Sequence, residues 1–580
     1  MTIRPRPFLL PFVLSLACAC QNTQAPAAAA AAPAKSAAPS ASERLLATAT
    51  QDNRVMQHLR HLSKEIGPRL TGSEHYDRAA QWCLEQFKSW GLEAHLETWG
   101  EFPVRCDRGV QRGRELGAHA RDLAILTRAW SVGTNGPVRA RARLEPVDEA
   151  EFEAHKAEFA GVWLLRRSSR TLSAVRKALE AAPPAGYVTA SGRELMHMSG
   201  ASGRSLEEIQ KQQPEIVLRG DQFEELSARI SAGEPVQLEF EIENKLVAGP
   251  VACTNVVADL VGSQFPDEYV IVGGHLDSWD GAEGAQDNGT GVASTLEAAR
   301  LIASLKEKPR RTLRFVLFGG EEQGLFGSAG YVKAHAAELS KVSAVLIHDD
   351  GASPLQGLDV TYAMLEDFQN VIAPVAALDR VRPVSVNERL GLVNSGDSDH
   401  APFLGAKDPV PAFFWNQSEN GYDHVHHTQF DVFENIAAAD EEHNARVVAV
   451  VALGLAELDH LLDRTDMKPL PTRRLGVNFD GATITHVTPE SRAAAAGWKD
   501  GDVLIAVDGL EVSNREEIVR AINQGGPRKT IRVRRGEERL EAAFDWSDDP
   551  DEPERSARAG RRDAWHKAQQ ARRAAAHAHS

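Results

Sequence analysis

Residues 269 to 291 read YVIVGGHLDSWDGAEGAQDNGTG, and no other stretch constrains the chain as tightly. The apolar run Val270, Ile271, Val272 breaks at Gly273 and Gly274, so a buried strand ends where His275, Asp277 and then Asp287 appear. Nitrogen and oxygen donors at the carboxyl end of a strand suggest a metal site.

Three more apolar runs end the same way. TLRFVLFGGEEQG delivers Glu321 and Glu322, AVLIHDDG delivers Asp349 and Asp350, and PVPAFFWNQ leads into DHVHHTQFD with His424, His426 and His427. Strands are expected at 269–272, 313–318, 344–347 and 410–415, with helical segments at 291–305 and 437–462. This alternation predicts an α/β fold with a mixed, mostly parallel sheet covered by helices on both faces. Ligands then gather at the strands' carboxyl ends. Any single cluster could be a solvated loop, but four clusters at corresponding ends of one sheet converge in space.

The donor count fits two zinc ions, which sit about 3.5 to 4 Å apart in paired sites and share a carboxylate. Asp287 can bridge, leaving His275 and Asp350 for one ion and Glu322 and His427 for the other. Glu321 is then an unligated carboxylate, suited to take a proton from water and return it to a leaving amine. Asp277, two residues beyond His275, is placed to accept that ring's second N–H and fix its tautomer.

In this order, GGHLDSWDGAEGAQDNGTG, RTLRFVLFGGEEQGLFGSAGY, HDDG, SDHAPF and HHTQFD resemble the co-catalytic zinc peptidases of clan MH, metallopeptidase family twenty-eight. IGPRLTGSEHYDRA, before a helical pattern at 76–90, resembles their entry segment. The resemblance covers residues 44 to 465 and implies the same roles for His275, Asp287, Asp350, Glu322, His427 and Glu321. It also implies a cis peptide between Asp287 and Asn288. Two departures stand out. His426 occupies a position where many members have tyrosine, so its N–H is a candidate for steadying the oxyanion. HDDG replaces the more usual context of the third ligand, so Asp349 competes with Asp350, and Asp350 is favoured. Ser398, Asp399 and His400 are read as pocket wall or as residues that support the ligands from behind.

Around this core the chain divides into further parts. Residues 1–20 read as a signal peptide, because Arg4 and Arg6 precede the short apolar stretch Phe8 to Leu16. It ends in LACACQ, where Cys18 or Cys20 resembles a lipoprotein processing site. The Ala/Pro/Ser-rich segment 21–43 reads as a tether. The peptidase domain is expected at 44–108 and 250–465, interrupted at 109–249 by a β-rich insert resembling a protease-associated domain. Within the insert, adjacent Met196, His197 and Met198 lack ligand spacing. Residues 470–546 resemble a PDZ domain through RRLGV and AGWKDGDVLIAVDG. That likeness implies that the amides of Leu475, Gly476 and Val477 hold a peptide's terminal carboxylate. The charged tail, 547–580, is expected to be disordered or marginally helical.

Three cysteines remain beyond the signal, and a Cys106–Cys253 disulfide is the one pairing considered. A net charge of −16 argues against a nucleic-acid partner. The expected protein is therefore exported, either periplasmic, at the outer envelope, or secreted, and meets a membrane only through an N-terminal lipid. It is expected to be a two-zinc exopeptidase acting on N-terminal residues of peptides or dipeptides. Carboxypeptidase or glutaminyl cyclase chemistry at the same site is an alternative, as is a non-catalytic PDZ-based binding protein.

Overall fold

The structure, a computed structural model, describes residues 39–578 apart from 168–174, 176, 178, 181, 378 and 419–420. The signal and lipidation expectations lie outside the described residues. Among the described residues no helix is long and apolar enough to cross a membrane.

Arg311–Phe318 and Val342–Ile347 are buried at every position. Their alternate side chains serve two cores, as the period of two in a strand requires. Val270, Val272, Leu313, Phe315, Leu317, Ala344 and Leu346 point to one cluster; Ile271, Val316, Phe318, Val345 and Ile347 point to the other. The first cluster is closed by Glu74–Ser89, Thr290–Ser304, Leu365–Ala376 and Ala438–Ala456. Ser73 caps the Glu74–Ser89 helix by accepting the Tyr76 N–H at 3.1 Å. Burying one such Leu, Val or Phe contributes about 1.5–3 kcal/mol, so these two cores fix the strand positions.

Phe265–His275 runs parallel to both Arg311–Phe318 and Val342–Ile347, and Ala412–Gln417 runs parallel to Val342–Ile347. The register pairs Phe318 with His275, and Ile347 with both Gly273 and Phe414. The four carboxyl ends are therefore level. Every polar cluster singled out in the sequence starts from this one edge.

The insert grows out of the peptidase sheet. Two antiparallel strands of 24 residues, Glu93–Leu116 and Gln237–Leu260, run out of the peptidase sheet into the insert, giving one continuous 14-stranded sheet. Beyond them, Val138–Leu144, Trp163–Leu165, Gly186–Ala190 and Glu215–Leu218 are mutually parallel, with helices Glu149–His155 and Leu206–Gln210 between them and Gly220–Ser231 after the last. The insert is α/β because its short parallel strands need crossover connections.

Cys106 and Cys253 are free, which corrects the disulfide expectation. The ladder pairs Cys253 with Gly100 but Cys106 with Leu246, further along the same two strands. Both thiols are buried in one apolar cluster, and burial pushes Cys106 up to about 12.

Strands Val477–Asp480, Thr483–Val487, Val503–Val507, Arg528–Arg535 and Glu538–Asp545 form a separate antiparallel sheet, packed with helix Arg515–Asn523 around its own core. Of the two expectations for the tail, the structure has the helix, which runs over Glu552–Ala578. Glu552 pairs with buried Arg473 at 2.6 Å, Arg558 donates to the Leu390 and Lys468 carbonyls at 2.6 and 2.8 Å, and Trp565 packs edge-on to Tyr362. Contacts to the peptidase domain and the PDZ unit order a sequence too charged to fold alone.

Candidate metal centre

The strand Phe265–His275 ends with the imidazole of His275 buried and aimed along the level edge of the sheet. Its Nε2 lies 2.9 Å from Asp349 Oδ1, 3.1 Å from Asp287 Oδ1 and 3.9 Å from Glu321 Oε2. His427 Nε2 lies 3.2 Å from the other oxygen of Asp287 and 2.8 Å from Glu322 Oε2. Asp287 thus stands between two imidazoles and offers each a different oxygen. Two groups of donors lie within 4.8 Å of one another: His275, Asp287 and Asp349, and Asp287, His426 and His427.

One expectation is corrected here. Asp349 faces His275, while Asp350 joins neither donor group. The two aspartates are adjacent on a turn, so their side chains diverge, and Ser398 Oγ fixes the inward one by donating to Asp349 Oδ2 at 2.5 Å. Asp350 is pushed up to about 7 by burial and then by Asp349, which marks it as a neighbour of the cluster.

Asp277 also departs from its assigned contact. His275 Nδ1 is 2.9 Å from the main-chain oxygen of Asp277 and 3.7 Å from its carboxylate. The ring nitrogen is therefore oriented by the carbonyl. The carboxylate instead accepts Thr71 Oγ1 at 2.9 Å and the N–H groups of Glu321 and Glu322 at 3.3 Å each. Asp277 thus shapes the turn that presents both glutamates.

The donor set fits zinc on the structure's own terms. Asp287 Oδ2 and both carboxylate oxygens of Glu322 are buried without a hydrogen-bond partner. His427 Nε2 approaches Glu322 Oε2 closely, yet not along a hydrogen-bonding direction. Converging nitrogen and oxygen donors that do not satisfy one another are suited to a cation between them.

Electrostatics point the same way. Burial would lower His275, but Asp349 and Glu321 outweigh it and raise the imidazole well above its ordinary value. Burial would raise Asp287, but His275 and His427 outweigh it and hold the carboxyl far below the usual range. Glu322 is pushed up to about 8 by burial and by Asp287. Burial, reinforced by Asp349 and Glu322, raises Glu321 well above the carboxylate range, which suits a group that must both accept and return a proton.

The loop from Asp277 to Asp287 is held by residues that sequence reasoning did not single out. Arg69, fully buried, donates to the carbonyls of Leu276 at 2.7 Å and Gly284 at 2.6 Å. Its signal was an arginine set among small residues in IGPRLTG. The Asp287–Asn288 peptide is cis. Asn288 donates to the His348 carbonyl at 2.8 Å, and a Cβ on Gly291 would lie 2.1 Å from that same oxygen, so only glycine allows the approach.

His426 is half exposed, with Nε2 3.9 Å from Asp287 Oδ2 and its ring stacked on Tyr422 at 5.1 Å. Burial lowers it, leaving a neutral ring able to donate one N–H. His424 turns away and stacks on Phe430. Asp399, fully buried beside Ser398 and His400, is pushed up to about 7 by burial. A cavity of about 590 Å³ lies elsewhere, between Glu388–Val393, the linker at Pro469–Thr472 and the helices of the PDZ unit and tail, and Glu388 is the one carboxylate in its lining.

In the PDZ unit, Leu475 and Gly476 accept from Ala493 and Thr488 through their carbonyls at 3.0 and 2.8 Å. Among the described residues, neither of their own N–H groups is bonded to a main-chain carbonyl. Val477 opens the edge strand of its sheet, paired with Val487.

The family model for peptidase family M28 matches residues 255–452, and a PDZ domain model matches residues 483–535. Carboxypeptidase Q of Bos taurus is 30% identical over 427 residues, spanning 71% of this chain and 87% of the relative. Leupeptin-inactivating enzyme 1 of Streptomyces exfoliatus is 31% identical over 262 residues, 42% of this chain and 54% of that protein. Among solved structures, a peptidase M28 precursor from Shewanella amazonensis aligns with a TM-score of 0.54 at 25% identity, covering 74% of this chain and 98% of that one. The chain therefore belongs to peptidase family M28, as a zinc-dependent peptidase with a C-terminal PDZ domain.

Proposed function

We propose that this peptidase is a two-zinc exopeptidase that removes the N-terminal residue from peptides or dipeptides. The observation that carries the reading is Asp287, with one oxygen toward His275 and the other toward His427 while Glu321 stays outside both pairs. His275 and Asp349 would hold one ion, Glu322 and His427 the other, and Asp287 would be shared. Zinc supplies Lewis acidity there, polarising the scissile carbonyl and making water acidic near neutral pH. Glu321 takes the proton from the attacking water and returns it to the leaving amine. His426 is oriented by Tyr422 and can donate its N–H toward the developing oxyanion. Asp277 keeps Glu321 and Glu322 in register through their amides.

The test compares wild type with Glu321→Gln on unblocked dipeptides and on N-blocked peptides. The expected result is release of N-terminal residues from unblocked substrates, falling about 10³-fold in the variant while zinc is retained. Unchanged turnover in Glu321→Gln would remove that residue from the reaction. Cleavage confined to N-blocked peptides would make the enzyme a carboxypeptidase.

The PDZ unit supports a second binding reading: a peptide's C-terminal carboxylate held at the amides of Leu475, Gly476 and Val477, with the peptide pairing along Val477–Asp480. Export is supported by Phe8 to Leu16 following Arg4 and Arg6, with lipid attached at Cys18 or Cys20. Mass spectrometry of the membrane fraction tests it, and an unprocessed N-terminus in the cytoplasm would contradict it.

A further inference from the structure

His427 has a left-handed backbone, φ 56°, which a residue with a side chain adopts only when its surroundings hold it there. What holds it belongs to the insert. The N–H of Met198 donates to the His427 carbonyl at 2.7 Å, and His197 forms an isolated antiparallel bridge with Thr428. Next in the chain, the carboxamide of Gln429 grips the insert at two points. Its Oε1 accepts the Met196 N–H at 2.8 Å, and its Nε2 donates to the Glu194 carbonyl at 2.7 Å.

The gripped segment is itself anchored. Ser191 Oγ donates to the Leu195 carbonyl at 2.8 Å and accepts the His197 N–H at 3.2 Å, while the Ala129 N–H donates to the Ser199 carbonyl at 2.9 Å. On the opposite side of the same loop, Asp431 accepts the N–H of Gln286 at 2.5 Å and of Asp287 at 3.4 Å. Residues 427–431 are thus clamped between the insert and the bridging aspartate. Among the described residues, neither His275 nor Asp349 has a hydrogen bond to the insert, whose Met198 Sδ reaches only the Gly281 N–H of the intervening loop at 3.1 Å; Asp349 is fixed by Ser398.

We propose that Gln429 is a positioning residue through which the inserted domain sets the His427 half of the metal centre, so that zinc at Glu322 and His427 depends on the insert while zinc at His275 and Asp349 does not. The inference rests on the two-zinc reading above. A side chain that orients a ligand from behind typically changes metal affinity about 10-fold to 100-fold when it is removed. Gln429 does so through the main chain of the ligand loop.

The experiment is a chelator titration of the full-length zinc protein, following the release of each ion, for wild type, Gln429→Ala and Gln429→Glu, with thermal unfolding of the metal-free proteins alongside. In Gln429→Ala one ion is expected to weaken about 10-fold while the other keeps its wild-type affinity. Gln429→Glu keeps the acceptor for Met196 and loses the donor to Glu194, so the same ion weakens by less. Two ions held as in wild type would overturn the inference, whatever happens to the melting temperature. Equal weakening of both ions, with a fall in metal-free stability, would overturn it too, since that is the mark of general loosening. Wild-type protein that bound no zinc would overturn the two-zinc reading beneath it as well.

Discussion

The metal centre and the PDZ unit would engage their ligands with different parts of the chain. At the metal centre the groups are side chains, brought from four strand ends that two hydrophobic cores hold level. In the PDZ unit they are main-chain amides beside an edge strand, and the side chains around them shape the turn. Single substitutions should therefore remove function at the first site by chemistry and at the second only by geometry or stability.

The largest expected effect lies where the PDZ unit meets the tail. Arg473 is fully buried and its partner Glu552 nearly so. Glu552→Ala leaves that guanidinium without its carboxylate and should cost about 3 kcal/mol in the PDZ unit and tail, seen as earlier proteolysis of the C-terminal third with dipeptide turnover unchanged. A tail that was cut as readily in wild type would sever this region from the comparison.

Gly476 supplies a smaller, sharper break. Its φ is +82° and an added Cβ would lie 2.2 Å from Ser491 Cβ, so Gly476→Val should cost about 2 kcal/mol. Binding of C-terminal peptides, measured by fluorescence anisotropy, should be lost while zinc content stays as it was. Retained peptide binding would refute the amide reading.

The smallest effect per step is in pH, and the two regions should respond with opposite sign. Glu441, buried in helix Ala438–Ala456, is pushed up to about 8 by burial. A carboxyl raised on folding stabilises the fold fully below its unfolded value, and that stability is lost as pH rises toward 8. Asp502 in the PDZ unit is held low, chiefly by its hydrogen bond from Arg535, so its contribution is present above the ordinary aspartate value and is lost as pH falls through the lowered one. Calorimetry should show Glu441→Gln gaining on wild type by about 1 kcal/mol per unit as pH rises from about 5 to about 8, and Asp502→Asn losing its disadvantage in acid. Parallel shifts in both variants would erase the distinction.

These regions also differ in how far the sequence revealed them. Strands such as Phe265–His275 and Val342–Ile347 announced themselves through short apolar runs, Val270–Val272 and Ala344–Ile347, and the donors followed because polar clusters begin where those runs end. The choice between Asp349 and Asp350 was not legible, since it depends on Ser398 and His275, far away in the chain. The carboxylate of Asp277 was given to the wrong partner because a main-chain oxygen, invisible in a sequence pattern, reaches His275 first. The tail was left between disorder and a marginal helix for a related reason: the partners that stabilise its helix, Arg473, Leu390 and Tyr362, lie in other parts of the fold. Local periodicity records what a segment buries along its own length. Contacts between distant segments leave no such trace.

In the paired site proposed above, Asp287 is shared and Asp349 completes the His275 half. Zinc stoichiometry of purified wild type, Asp349→Asn and Asp350→Asn, measured after dialysis against a weak chelator, tests it directly. Two ions are expected in wild type, two in Asp350→Asn, and one in Asp349→Asn. Loss of an ion in Asp350→Asn, with two retained in Asp349→Asn, would contradict it.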